Sequence, residues 1–198
     1  MIKLPNALIK LIDSFKRLPG VGPKTAERLA YFILEKESSF SNSFAHNLLN
    51  LDDNILTCQT CFFLLEKGCD CICKSTKDKT RICIVQQSKD VIAFDRTGYE
   101  GMYHVIGGVL SPLDQIGPDH LNIKEFFDRI DGNINEVILA TDTSLEGDAT
   151  SIYIANILEA SHPDVKISRL ARGIPIGGQF DYIDDMTLMR AFNERTEV

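Results

Sequence analysis

From residue 81 onward, short apolar runs alternate with helical patterns, and this alternation constrains the fold more than any other feature of the chain. The predicted strands are residues 82–85, 102–106, 137–140 and 165–170. The predicted helices are residues 89–95, 123–130, 150–160 and 183–192. Strands that are joined through helices form right-handed βαβ units and lie parallel in one sheet. The sequence therefore predicts an α/β fold in which helices flank a mostly parallel sheet.

Acidic side chains follow the predicted strand 137–140, where Asp142, Glu146 and Asp148 surround Gly147. Open α/β sheets place their sites at the carboxyl ends of strands. Carboxylates clustered there usually hold a divalent cation that acts on phosphate. Asp142 and Glu146 are therefore candidate Mg²⁺ ligands.

This segment resembles the Toprim signature of topoisomerases, primases and related DNA proteins, with two differences. Ser144 stands where that signature has a second Asp, and Gln86 stands where it has a catalytic Glu. Hydroxyls and amides are poor Mg²⁺ ligands, and an amide is no general acid or base at neutral pH. We therefore expect a Toprim scaffold that binds rather than catalyses, with Mg²⁺ as a doubtful second cofactor.

The N-terminal sequence predicts two helices joined by a turn rich in glycine and proline. The first spans residues 5–16, and the second begins at Pro23, whose ring suits the first turn of a helix. The Ser/Asn-rich stretch 38–43 is expected to end the second helix, and a short helix over 44–51 should follow.

The turn itself, Leu18-Pro-Gly-Val-Gly-Pro-Lys-Thr-Ala-Glu-Arg28, has the form of a helix-hairpin-helix. Gly20 and Gly22 would let the backbone approach a phosphate, and Lys24 and Arg28 share one exposed helical face. Such contacts bind DNA without reading its sequence. The alternative is an ordinary turn between helices with solvated charges.

Charge is distributed unevenly along the chain. The whole sequence has a formal net charge of −7, but residues 1–30 contain six lysines and arginines against two acidic residues. A basic end on an acidic body can form a local phosphate-binding face. The same asymmetry also arises by chance in so small a count.

Five of the six cysteines lie between residues 57 and 78, and Cys58-x-x-Cys61 opens the cluster. Four thiolates suit one structural Zn²⁺ ion, which organises a segment with little core of its own. A second Cys-x-x-Cys is absent, so Cys73 must pair with Cys69 or Cys71. We prefer Cys69, which leaves Cys71 spare. Cys83 lies in a predicted strand and is expected in the core.

The combination of hairpin, cysteine cluster, Toprim-like segment and short tail closely resembles the bacterial RecR family of recombination mediators. Supporting segments are residues 18–28, 101–112, 138–150 and 171–178. The resemblance implies a non-enzymatic protein of single-strand gap repair that helps to load RecA on DNA coated by single-strand-binding protein. It also implies RecO and RecF as partners, and a homodimer or homotetrameric ring around gapped or duplex DNA.

The resemblance also assigns residues to these roles. Lys24 and Arg28 match the DNA-contacting positions of the family, and Asp90 matches an acidic partner-binding position. Gln86 replaces a second acidic residue there, which puts the RecO contact in question.

The expected domains are a DNA-binding and oligomerisation region (1–54), a zinc finger (55–79), a Toprim domain (80–175) and a tail (176–198). We expect neither a signal peptide nor a membrane span, and we therefore expect the protein to be cytoplasmic and associated with the nucleoid. Two alternatives remain. One is a Mg²⁺-dependent Toprim nuclease or topoisomerase-like enzyme, and the other is a zinc-stabilised scaffold whose hairpin only dimerises.

Overall fold

The chain divides into two compact units, residues 1–55 and residues 56–198. The computed structural model describes residues 3–195, except for the side chain of Asp52. Residues 1–2 of the predicted N-terminal region and residues 196–198 of the predicted tail lie outside the described residues. Within the described part, no helix is both long and apolar enough to cross a bilayer.

Three helices form the N-terminal unit, and the first two confirm the prediction closely. They are α1 (Asn6–Lys16), α2 (Pro23–Leu34) and α3 (Ser38–Asn54). The predicted short helix over 44–51 was too short, because α3 already begins at Ser38. Most of its serines and asparagines are exposed and none is buried, so they do not break the helix. The Phe40 and Phe44 rings stack at 6.4 Å, which supports the helix through an i,i+4 pair.

The core of this unit is small and comes from α1 and α2 alone. Leu8 and Ile12 of α1 are buried together with Ala26 and Ala30 of α2. The two alanines are fully buried, so they allow the helices to pack closely. None of the described side chains of α3 is buried.

The second unit begins with the cysteine-rich segment, for which the sequence indicated little regular structure. Strands β1 (Ile55–Thr57) and β2 (Leu64–Glu66) pair with each other, and one helical turn, α4 (Ile72–Ser75), follows. Both strands are too short to show a hydrophobic period, which is why the pattern did not reveal them.

The predicted parallel sheet is confirmed. Its strands are β3 (Asp78–Val85), β4 (Gly101–Val105), β5 (Glu136–Ala140) and β6 (Lys166–Arg169). They lie in the order β4-β3-β5-β6, and all neighbours are parallel. The flanking helices are α5 (Ser88–Asp95), α6 (Ile123–Phe127) and α7 (Leu145–Ser161), and α8 (Asp185–Asn193) closes the described chain.

Alternate residues of the central strands pack into two cores. Ile82 and Ile84 of β3 join the larger core with Phe126 of α6, whereas Cys83 and Val85 join the smaller one. Cys83 is therefore a core residue, as predicted, and burial raises the pKa of its thiol to about 12. This two-sided burial fixes the register of the sheet and so places its carboxyl edge.

Candidate nucleic-acid interface and metal centre

The hairpin turn between α1 and α2 presents its backbone to solvent. Gly20 has φ +77°, a left-handed conformation that favours glycine. Gly22 is extended, precedes Pro23 at the first position of α2, and supplies no side-chain cap. A Cβ atom at Gly22 would meet nothing within 4 Å. Neither packing nor φ therefore requires glycine at residue 22, and close approach of a ligand to the backbone would account for it.

Lys24 and Arg28 lie on the exposed face of α2, opposite the buried Ala26 and Ala30. Neither cation forms an ion pair with any described residue, whereas Lys16 at the end of α1 binds Asp13 at 3.0 Å. The amide N–H groups that begin a helix also have no partner within it. The turn thus combines free N–H donors with two unpaired cations, an arrangement suited to phosphate.

The candidate metal centre comprises Cys58, Cys61, Cys71 and Cys73, whose Sγ atoms all lie within 4.8 Å of one another. Sulfurs at about 2.3 Å from a tetrahedral zinc ion lie about 3.8 Å apart. The Sγ atoms of Cys58 and Cys73 are 3.8 Å apart, and those of Cys61 and Cys71 are 3.2 Å apart. The donor set therefore fits a single tetrahedral ion of the zinc type.

The preference for Cys69 as the third ligand is corrected by this geometry. Cys71 is buried, at 6% exposure, and lies in the cluster, whereas Cys69 is exposed. The backbone N–H of Cys69 donates to the carbonyl of Glu66 in the turn after β2. That turn directs the chain so that Cys71, the residue before α4, enters the cluster.

The backbone around Cys58 forms a tight turn whose N–H groups stabilise the thiolate form of this ligand. Phe62 has φ +60°, and its N–H closes a turn onto the carbonyl of Cys58. Burial raises the pKa of Cys58, but hydrogen bonds from the backbone N–H groups of Cys61 and Thr60 and from the neighbouring Cys71 and Cys61 thiols together lower that pKa to about 6. Burial raises the pKa of the Cys73 thiol to about 11. Thiols this close ionise together only with difficulty, and a divalent cation removes that penalty.

Residues of β4 and of the segment after α6 support this cluster, and no sequence pattern indicates their contacts. The Val105 N–H of β4 donates to the Cys61 carbonyl at 2.9 Å. Arg129, which is partly buried, donates to the Tyr103 carbonyl at 2.8 Å and contacts Nδ1 of His104 at 3.0 Å. Burial lowers the pKa of His104 to about 4, so its Nδ1 accepts from Arg129 while Nε2 donates to a carbonyl. His104 is therefore a core histidine, and both of its ring nitrogens form hydrogen bonds.

The two positions that differ from the Toprim signature have structural roles at the carboxyl edge of the sheet. Gln86 follows β3, is buried at 8% exposure, and its Oε1 accepts a hydrogen bond from the Asp142 backbone N–H. Ser144 caps α7, because its Oγ accepts from the Gly147 N–H at 3.0 Å. Helix α7 therefore begins at Leu145, five residues before the predicted start.

The acidic residues of this segment do not converge on one point. Asp142 lies in the loop and is exposed, whereas Glu146 and Asp148 lie in the first turn of α7. Asp148 forms ion pairs with Arg169 and Arg172. Among residues 3–195, only the cysteine cluster brings three or more ligand atoms of this kind together.

Three family models match consecutive parts of the chain. The RecR helix-hairpin-helix model matches residues 8–51, the Toprim domain model residues 80–171, and the RecR C-terminal model residues 173–196. Recombination protein RecR of Leifsonia xyli subsp. xyli (strain CTCB07) is 43% identical over 192 residues, which is 96% of each chain. The chain belongs to the RecR family.

In this RecR-family chain, the two predicted partner-binding residues both stabilise local structure. The Asp90 carboxylate accepts from the Gln87 N–H at 2.7 Å and so closes the first turn of α5. Gln86 is buried against Asp142 and presents little surface. A partner contact at this corner remains a prediction, and it depends on Asp90 more than on Gln86.

Proposed function

We propose that this RecR-family chain is a non-enzymatic recombination mediator of RecFOR-type gap repair, which binds DNA and helps to load RecA on strands coated by single-strand-binding protein. The hairpin carries the proposal, because it exposes free backbone donors beside two cations that no described acidic group neutralises. Backbone and charge contacts of this kind recognise phosphates independently of base sequence. Gly20, Gly22, Lys24 and Arg28 are the proposed DNA-contacting residues.

The same chain is unsuited to the alternative, a Mg²⁺-dependent nuclease or topoisomerase-like enzyme. Gln86 uses its amide oxygen on a backbone N–H, and Asp148 is neutralised by arginines. Asp142 and Glu146 then remain, and among the described residues neither belongs to a group of three or more ligand atoms. Mg²⁺ bound there would be weak and would find no general acid or base at the position of Gln86.

The proposed cofactor is one structural zinc ion held by Cys58, Cys61, Cys71 and Cys73. Bound zinc would join the β1–β2 segment to the turn before α4 and so hold together a region with few buried side chains. Zinc at this site has a structural role only, because all four ligands come from the protein and leave no open position.

Oligomerisation is proposed through the N-terminal unit. Apolar side chains of α2 and α3 remain exposed within the chain, and they are Tyr31, Phe32, Leu34, Phe40, Phe44, Leu48, Leu49 and Leu51. Exposed apolar surface of this extent is typical of a protein interface. A homodimer or homotetrameric ring would cover it and would add the weak DNA contacts of several hairpins.

The remaining partners follow from the family. RecO- and RecF-like proteins are the proposed partners of the Toprim region, with Asp90 near the contact. We retain the division into residues 1–54, 55–79, 80–175 and 176–198 as the proposed functional segments, and the nucleoid as the proposed location.

Binding to gapped DNA tests the function, with Mg²⁺ present and intact strand length as a second readout. The double variant Lys24→Ala/Arg28→Ala should lose most of the affinity. Lys67→Ala/Lys124→Ala, which removes two exposed lysines of the second unit, should retain it. Cleavage that disappears in Asp142→Ala would establish the enzyme instead, and equal binding by both double variants would refute the role of the hairpin.

A further inference from the structure

A cluster of three arginines surrounds the single carboxylate of Asp148. Arg172 donates two hydrogen bonds to this carboxylate, and Arg169 donates one. Arg190 of α8 lies 3.8 Å from the second oxygen. The arginine side chains are 14% to 34% exposed, and that of Asp148 is 17% exposed. This partly buried cluster therefore has an excess of two positive charges.

The excess charge faces a cavity of about 300 Å³ at the carboxyl edge of the sheet. Its lining residues are Thr143, Ala171, Arg172, Gly173, Thr187 and Arg190. The Thr187 hydroxyl donates to Asp184, so it offers no proton to the cavity. The Arg190 guanidinium lies 3.8 Å from Asp148 and donates no hydrogen bond to any described residue, and Arg172 has further N–H groups beyond the two that bind Asp148. The cavity thus contains unused guanidinium donors and the Thr143 hydroxyl.

We infer that this cavity binds a phosphate group. A phosphate monoester carries about 1.5 to 2 negative charges at pH 7 and inorganic phosphate between one and two, so either neutralises most of the two excess positive charges. A carboxylate would neutralise only one of them. Guanidinium groups bind phosphate through paired N–H donors, and partial burial strengthens such contacts because less water screens the charges. The phosphate site is inferred from these residues alone, so it does not require that the hairpin contacts DNA.

Binding of inorganic phosphate to the full chain tests the site, measured by calorimetry at constant ionic strength with chloride as the balancing anion. Arg190→Gln removes one charged donor that is not needed to hold Asp148, so the affinity should fall about tenfold. Arg190→Lys should restore part of the affinity. Arg195→Gln is the matched control, because Arg195 is exposed and does not line the cavity. Absence of phosphate binding in the wild type, or an equal affinity in Arg190→Gln, would overturn the inference.

Two sources of the phosphate are distinguished by a second experiment in the Lys24→Ala/Arg28→Ala background, which removes the proposed hairpin contact. Oligonucleotides that differ only in a 5′-phosphate or a 5′-hydroxyl are compared, together with a mononucleotide. A preference for the 5′-phosphate that disappears in Arg190→Gln supports a DNA strand end as the ligand. Equal binding of the two oligonucleotides, with binding of the mononucleotide retained, supports a free phosphate compound. Failure of the hairpin to bind DNA would leave the result with inorganic phosphate unaffected.

Discussion

Replacing Cys71 by serine removes one of the four sulfur atoms that the structure brings together, and the response should distinguish the two candidate third ligands. Structural zinc contributes about 10–16 kcal/mol to the folding of small zinc domains. One ligand of four corresponds to roughly a quarter of that, or about 3 kcal/mol. Cys71 is buried with its Sγ 3.2 Å from that of Cys61, so no nearby thiol can replace it without rebuilding the turn.

Zinc content per chain, measured by elemental analysis after dialysis, is the direct assay. The Cys71→Ser protein should bind clearly less than one zinc ion, and its second unit should unfold roughly 10 °C lower. Cys69→Ser is the matched control, because it makes the same chemical change at an exposed residue outside the cluster. Full zinc content in Cys71→Ser together with loss in Cys69→Ser would refute the geometry of the centre.

Three further outcomes follow from single residues. Gly22→Ala should leave the free energy of unfolding nearly unchanged, because a Cβ at this position meets nothing within 4 Å. The same substitution should weaken DNA binding in a filter or anisotropy assay. A normal DNA affinity would mean that no phosphate approaches this backbone. Ser144→Ala should lower the free energy of unfolding, measured with denaturant, by about 1 kcal/mol, because α7 loses its N-cap. An unchanged free energy of unfolding would show that water replaces the Ser144 hydroxyl as the acceptor for the Gly147 N–H. His104 has a native pKa of about 4 against an ordinary 6.5, so the unfolded chain binds its proton first on acidification. Stability should therefore fall by roughly 3 kcal/mol from pH 6.5 to pH 4, and His104→Gln should flatten that dependence.

The sequence predicted the elements whose patterns are long and regular. The alternating runs after residue 81 predicted all four parallel strands. The central strands β3 and β5 are apolar because both faces of the sheet are covered there, whereas the edge strand β6 has no buried residue and is marked by Val165 and Ile167. The hairpin could be predicted because its signals are local: the left-handed backbone at residue 20 favours glycine, and proline suits the first turn of α2.

Features that depend on distant contacts could not be predicted in this way. The position of Cys71 in the cluster depends on how the turn after β2 directs the chain, whereas spacing alone favoured Cys69, which lies outside the cluster. The early start of α7 had a local signal, since Ser144 is a good N-cap followed by acidic residues in the first turn. By contrast, the Gln86 contact joins residues 56 positions apart, and no periodicity indicates it.

The salt dependence of binding to gapped DNA reports how many phosphates the protein contacts, because each phosphate contact releases counterions. Affinity is measured over a salt series for the wild type and for Lys24→Ala/Arg28→Ala, and the slope of log affinity against log salt is compared. We expect a steep slope for the wild type. In the double variant the slope should be shallower by about 1.8 for each chain that contacts the DNA, because each chain loses two phosphate contacts and each contact contributes roughly 0.9 on duplex DNA. An unchanged slope in the double variant would contradict the account, because the phosphate contacts would then lie elsewhere in the protein.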